Sequence, residues 1–238
     1  MPCYNESNRL QGDEFISFID STAVVDLWFV NDGSKDSTLD VLNKLRDARP
    51  ERIFVHDLQQ NFGKAEAIRR GFSFVFTQNE YPYIGFIDAD LSAPLEEMAM
   101  LYQVIRERKL LIASGARVKL IGKDIRRSLS RHYMGRIFAT YYDTILKLGN
   151  YDTQCGLKLF EAHFATQIFD QPFISNWFFD IELFVRARRL LGAADYCLQI
   201  EEVPLNVWKE IPGSKLKARD FLKAPFEILK IYRKYKVS

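Results

Sequence analysis

Three times in its first 109 residues the chain runs a short apolar segment into a turn and then into a stretch of helical spacing. Ala23-Val24-Val25-Asp26-Leu27-Trp28-Phe29-Val30 stops at Asn31-Asp32-Gly33-Ser34, and residues 36–48 follow with Leu39, Leu42 and Leu45 on one face. Arg52–His56 leads through Asn61-Phe62-Gly63 into a helix predicted over 64–78. The run 83–88 leads into a helix predicted over 94–109, opened by Pro94, with a further strand at 110–115. This alternation predicts an α/β fold with a mostly parallel central sheet and helices on both faces. Ligands of such sheets bind at the carboxyl ends of the strands. Tyr4, Asp32, Gly63, Asp88 and Asp90 all follow strand positions and are expected to share one rim.

The strand Tyr83-Ile84-Gly85-Phe86-Ile87-Asp88-Ala89-Asp90 ends on two carboxylates one residue apart. Such acids repel each other, and neither can be buried unpaired. A divalent cation resolves the conflict. Mg²⁺ or Mn²⁺ prefers oxygen ligands, commonly one or two carboxylates together with phosphate oxygens of a substrate. Asp88 and Asp90 are therefore candidate metal ligands beside a phosphate-bearing ligand. The competing reading is a plain solvated strand end.

The balance of 33 basic against 31 acidic residues, net +2, gives no electrostatic reason to expect nucleic acid. Cys3, Cys155 and Cys197 are scattered without metal-ligand spacing, which fits reduced thiols and predicts a cytoplasmic location. No apolar stretch approaches the roughly 20 residues of a membrane span, and the opening residues carry no signal-peptide pattern. Met1-Pro2-Cys3-Tyr4-Asn5-Glu6 reads as a turn entering a helix, so the first strand of the sheet is expected to be cut short, ending at Pro2. Downstream, a long helix is predicted over 127–148, a second over 178–191, and strands near 196–207. A basic amphipathic helix is expected after Gly213-Ser214-Lys215, interrupted at Pro225. With no repeat and no linker, residues 1–238 read as one domain.

The ordered motifs resemble the inverting family-2 glycosyltransferases of GT-A fold. They are Pro2-x-Tyr4-Asn5-Glu6, Val30-Asn31-Asp32-Gly33-Ser34-x-Asp36-x-Thr38, Asn61-x-Gly63-Lys64-x-x-Ala67 with Gly71, and Asp88-x-Asp90. Gly115-Ala116-Arg117, Asp152 through Phe160, Phe179-Asp180-x-Glu182, and Glu201-Glu202-Val203-Pro204 followed by Gly213-Ser214-Lys215-Leu216 resemble the polyprenyl-phosphate sugar synthases. Among these the chain is most similar to the dolichyl-phosphate glucosyltransferase branch. The resemblance implies metal-dependent transfer of a hexose from a nucleotide diphosphate sugar, UDP-glucose or GDP-mannose, to a polyprenyl phosphate. A saccharide hydroxyl as acceptor, or a non-catalytic nucleotide-sugar-binding module, are the alternatives. It divides the chain into a nucleotide-sugar-binding half over 1–116, an acceptor half over 117–212, and the tail helix over 213–238.

By the same resemblance Pro2, Tyr4, Glu6, Asp32, Gly63, Lys64, Asp88 and Asp90 bind the nucleotide sugar. Tyr4 offers a flat face to a base, Glu6 can accept from ribose hydroxyls, and Asp32 can accept a base N–H, although Asp32 also suits a turn start. A lysine at a helix N-terminus works against the helix dipole, so Lys64 makes sense facing a phosphate. Arg117, Arg131 and Lys215 are the candidates for the acceptor phosphate, since guanidinium forks match phosphate oxygens. Arg126 and Arg127 are better explained as a solvated or membrane-facing face, and His132 fits a packed or a surface position equally. A phosphate acceptor is already largely anionic, with a second pKa of about 6, and needs little deprotonation. A sugar hydroxyl would need a general base. Asp152 and Asp180 compete for that catalytic role. The tail carries Phe221, Leu222, Phe226, Ile228, Leu229, Ile231 and Tyr232 among lysines and arginines. Such a helix lies in a membrane interface or docks on the domain. The location expected is the cytoplasm, at the inner face of a membrane.

Overall fold

The computed structural model describes residues 1–78, 81–211 and 218–236, with the side chains of 129–132 and 218–223 outside that description. Strand β1 (Pro2–Cys3) pairs in parallel with β2 (Leu27–Asn31), and β2 pairs in parallel with β3 (Ile53–Asp57). A second sheet has the order β4 (Tyr83–Ile87), β7 (Leu157–Glu161), β5 (Ile112–Ala116), β8 (Ile200–Pro204). Here β7 runs antiparallel to β4 and to β5, whereas β5 and β8 are parallel. A small parallel ribbon joins β6 (Asp124–Arg126) to β9 (Val207–Lys209).

Helices cover both faces. On one side α1 (Gly12–Ser21), α2 (Thr38–Ala48) and α4 (Leu95–Arg108) enclose a core that includes Phe15, Phe29, Leu42, Leu101 and Ile105. On the other side α3 (Lys64–Gln78), α5 (Leu129–Leu146), α6 (Ala162–Phe169), α7 (Phe179–Gln199) and α8 (Ala218–Tyr235) enclose an aromatic core. Adjacent strand residues face opposite cores: Phe86 and Ile112 point into the aromatic one, Ile87 and Ala113 into the other. That alternation is why these strands are mostly apolar, with Ser114 a buried polar exception in β5. In α3, Ile68, Phe72 and Val75 are buried at helical spacing. Gly71 lets α3 lie against the sheet, since a Cβ there would stand 2.6 Å from Val30 Cγ2. Phe72 then meets the rings of Phe86, Phe160 and Phe169.

The structure corrects some of these expectations and adds elements to them. Pro2 and Cys3 are strand rather than turn, because Val30 N–H donates to Met1 O and Asp32 N–H to Cys3 O, both at 2.8 Å. Residues 157–161 form β7, a strand that its interior Lys158 hides from an apolar-pattern reading. The helix expected after the opening turn is Gly12–Ser21, and Ala162–Phe169 is a helix outside the predicted elements. Helix α7 continues to Gln199 through a break at Gly192, where φ is 79°. Pro225 lies inside α8 without ending it.

Candidate active site

The loops after β1 and β2 are sewn into one platform. Asp36 accepts from Ser7 Oγ (2.7 Å), Ser7 N–H (3.2 Å), Thr38 N–H (3.0 Å) and Thr38 Oγ1 (2.5 Å). These donors outweigh the opposing effect of burial and hold its carboxyl down to about 2. Glu6 N–H donates to Thr38 Oγ1 at 2.8 Å, Asn5 N–H to Ser34 Oγ at 3.0 Å, and Lys35 N–H to Asn5 Oδ1 at 2.8 Å. Tyr4 sits half-buried on this platform. The Glu6 carboxylate is buried and gripped by Arg9 through Nε at 2.6 Å and Nη2 at 2.7 Å.

Asp32 ties this platform to the loop before α3. Its Oδ1 accepts Phe62 N–H at 2.7 Å, and its Oδ2 accepts Gly63 N–H and Asn61 Nδ2–H, each at 2.9 Å. Burial raises its carboxyl above the ordinary value, against the pull of the two amides. Gly33 is required at its turn: φ is 62°, and a Cβ would stand 2.3 Å from the Gln60 carbonyl carbon. The loop thus delivers Lys64 to the strand ends.

There Lys64 Nζ meets Asp88 Oδ1 at 2.5 Å. Burial works against the ammonium, but Asp88, Asp180 and Asp90 outweigh it and hold the Lys64 pKa above the usual lysine value. The other face of the Asp88 carboxylate rests on Gly156, where a Cβ would lie 2.0 Å from Oδ2. Asp90 Oδ1 accepts from Ser92 N–H (3.0 Å) and Ser92 Oγ (2.9 Å), which fixes the turn at Leu91, whose φ is 52°.

The residues beyond β5 form a buried counterpart. Arg117 lies side-on to Asp152, with Nε to Oδ2 and Nη2 to Oδ1 both at 2.7 Å, and its own N–H donates to Oδ2 at 3.0 Å. Burial alone would raise Asp152; the guanidinium overrides it and holds the carboxyl down to about 2. Glu202 completes the support by accepting the N–H groups of Tyr151 (2.5 Å) and Asp152 (2.7 Å), while burial pushes its own pKa up. The Arg117 guanidinium lies 5.3 Å from the Trp208 ring centre. Beneath them Lys158, with no solvent exposure, donates to Asp180 Oδ1 and to Cys155 O, both at 2.6 Å. Burial raises Asp180, and the Lys158 and Lys64 charges oppose that rise.

The structure brings the two sets together. The Asp88 charge acts on Lys64, Asp180, Arg117 and the Met1 ammonium. Lys215 and the Arg131 and His132 side chains lie outside the described residues. Arg126 is exposed and paired with Asp124 at 2.8 Å, as expected of a solvated position. Lys158, Gly156 and Glu202 had been assigned no role of their own. A lysine inside an apolar strand was the available signal for the first. Among the described residues no three His, Cys, Asp or Glu side chains gather to hold a metal. Asp88 and Asp90 supply hard oxygen donors and fit a divalent cation whose remaining ligands come from phosphate and water.

Residues 1–169 match the family described as Glycosyl transferase family 2. A dolichyl-phosphate beta-glucosyltransferase of Dictyostelium discoideum is 33% identical over 91% of this chain and 67% of its own length. The Homo sapiens protein of that name is 31% identical over 91% and 68%. The solved structure of Mycobacterium tuberculosis glucosyl-3-phosphoglycerate synthase with Mn²⁺ and UDP-glucose superposes with a TM-score of 0.69 at 18% identity, covering 98% of this chain and 76% of that one. Mannosyl-3-phosphoglycerate synthase of Rubrobacter xylanophilus gives 0.69 at 14%, over 98% and 71%. These two share the GT-A fold with this chain.

Proposed function

This chain belongs to glycosyl transferase family 2 and is a hexosyltransferase, and from that premise we propose that it transfers glucose from UDP-glucose to a dolichyl or other polyprenyl phosphate. The names of its relatives supply the sugar and the acceptor class. The donor is supported by the UDP-glucose held in the structural neighbour. One observation carries the choice of acceptor. Both carboxylates that could serve as a base are pinned to buried cations, Asp152 to Arg117 and Asp180 to Lys158. A sugar hydroxyl would require one of them to take its proton. A phosphate oxygen is already anionic at neutral pH and attacks the anomeric carbon without that help.

In this reading Tyr4 stacks on the base, while Pro2, Glu6, Asp32 and Gly63 shape the nucleoside pocket. Lys64 exchanges Asp88 for the diphosphate. Asp88 and Asp90 hold Mg²⁺ or Mn²⁺, which when bound neutralises the charge on the departing nucleoside diphosphate. Arg117 meets the acceptor phosphate through the guanidinium edge turned away from Asp152, with Arg131 and Lys215 as partners. Asp180 orients the acceptor. Among the described residues no helix is long and apolar enough to cross a membrane. Exposed Phe226 and Leu229 on α8, beside Lys230 and Arg233, suit peripheral contact with an anionic lipid surface.

The test is incubation with Mn²⁺, a panel of nucleotide sugars and a short polyprenyl phosphate, with lipid products read by mass spectrometry. A glucosyl lipid formed from UDP-glucose is expected. Product on a free saccharide alone would overturn the acceptor assignment, and a mannosyl lipid from GDP-mannose the donor.

A further inference from the structure

The connection between α6 and α7 meets the loop before α3 on one side and the tail helix on the other. On the first side the Asn176 carboxamide rests against Gly63. A Cβ added to that glycine would lie 3.5 Å from Asn176 Cγ and 3.6 Å from its Nδ2 and Oδ1. Phe179 follows, its ring centre 6.0 Å from Lys64 Nζ, and the Asp180 charge acts on the same ammonium. Residues 176–180 thus form a wall beside the step from Gly63 to Lys64.

That wall hangs from one hydroxyl. Ser175 is buried, and its Oγ accepts Phe178 N–H at 2.8 Å and Trp177 N–H at 3.2 Å, which satisfies two amides at the entry to α7. The same hydroxyl donates its proton to Glu227 Oε2 on α8. Two turns further along α8, about 12 Å, the Tyr235 hydroxyl donates to Glu182 Oε1 at 2.7 Å, while Glu182 Oε2 accepts Ile174 N–H at 2.7 Å. The tail helix therefore grips this connection at two points, and the two are not equivalent. Glu182 also has Arg186, at 2.8 Å, whose guanidinium holds the carbonyls of Ile168, Gln171 and Pro172 as well. That knot stays tied without Tyr235. Ser175 has a single hydroxyl proton to aim, and Glu227 is what aims it.

We propose that Glu227 is a positioning residue for sugar transfer: by fixing the Ser175 hydroxyl it holds residues 176–180 against Gly63 and Lys64, so that the tail helix completes the donor site from behind. The proposal rests on the donor diphosphate meeting Lys64, as in the function proposed above. It gives α8 an inward task beside its outward face of Phe226 and Leu229. Without the Glu227 carboxylate the Ser175 hydroxyl turns, its two amides loosen, and Asn176 and Phe179 move off the lysine they flank. Displacements of about 1 Å are enough to impair a site of this kind.

The test is calorimetric titration of the native chain and of Glu227→Ala, Glu227→Gln, Ser175→Ala and the Glu227→Ala, Ser175→Ala double variant, each with a melting curve. The ligand, with Mn²⁺, is whichever of UDP-glucose and GDP-mannose the native chain binds more tightly. A wrong donor assignment then shows in the native protein, and a wrong positioning role only in the variants. Glu227→Ala is expected to weaken donor binding roughly tenfold. Glu227→Gln, whose amide oxygen can accept the same proton, should stay within about twofold of native. The double variant should lose no more than Ser175→Ala alone, because both changes break one link. Should Ser175→Ala fail to fold, the contrast between Glu227→Ala and Glu227→Gln decides. Native affinity in Glu227→Ala, with or without a lower melting temperature, would overturn the proposal, as would an equal loss in Glu227→Gln.

Discussion

The two halves of the cleft manage charge in opposite ways. At the end of β4 Asp88 and Asp90 stand partly in solvent, and the Asp88 side chain, 38% exposed, has one lysine for company. Across the cleft Asp152, Asp180 and Glu182 are buried, and each has its own cation: Arg117, Lys158 and Arg186. These three acids are each neutralised within the fold. Asp88 and Asp90 share the single cation Lys64, and in the proposed function a divalent cation would balance the remainder. The proposed metal site thus lies where the fold leaves charge partly unbalanced, and the proposed acceptor side where the fold pairs it.

Substitutions should separate these two behaviours. Lys158→Met removes the partner of a buried carboxylate and is expected to cost about 3–5 kcal/mol in urea unfolding. Combining it with Asp180→Asn should restore a large part, because no orphan charge is left; equal costs for single and double variants would break the comparison. Asp90→Asn is expected to lower turnover by about 10²–10³-fold while leaving the melting temperature unchanged or raised, since it relieves repulsion. A falling melting temperature would place Asp90 in the self-neutralised class. Gly156→Ala pushes the Asp88 carboxylate aside, for a loss in turnover of about 10²-fold with little change in unfolding. Asp152 titrates at about 2 against an ordinary 3.8. Its ionised form therefore stabilises the fold above about pH 4, and that support is lost as pH falls toward 2. The amount is about 2 kcal/mol, read as a steeper acid limb for the native chain than for Asp152→Asn. The smallest effect belongs to the tail. Phe226→Ser with Leu229→Ser should change stability by less than about 0.5 kcal/mol and abolish flotation with anionic liposomes at low salt. Flotation unaltered by the pair would remove α8 from the membrane reading.

How much of this was legible in the sequence follows from the range of the interactions. Local signals carried far. The turn at Asn61-Phe62-Gly63 announced a helix over about 64–78, where α3 spans Lys64–Gln78, and strand ends placed Asp32, Gly63 and Asp88 on one expected rim. The charge pairs were not legible, because their partners are distant in sequence: 35 residues separate Arg117 from Asp152, and 22 separate Lys158 from Asp180. Asp152 read as a candidate base because its type and motif were visible and its guanidinium partner was not. Strand β7 was missed because a buried lysine interrupts the apolar pattern, and only the fold shows the acid that makes its burial tolerable. The three-residue strands β6 and β9 are too short to carry a period.

Asp32 holds the amides of the two residues immediately before Lys64. One carboxylate thus acts as the fulcrum of a short lever, with the turn proposed to face the base on one arm and the lysine proposed to face the phosphate on the other. On those proposed roles, a nucleoside that seats badly against that turn would tilt the lysine away from its anion. Discrimination among donors should then register in the rate of sugar transfer, where an ill-matched base is held but not used.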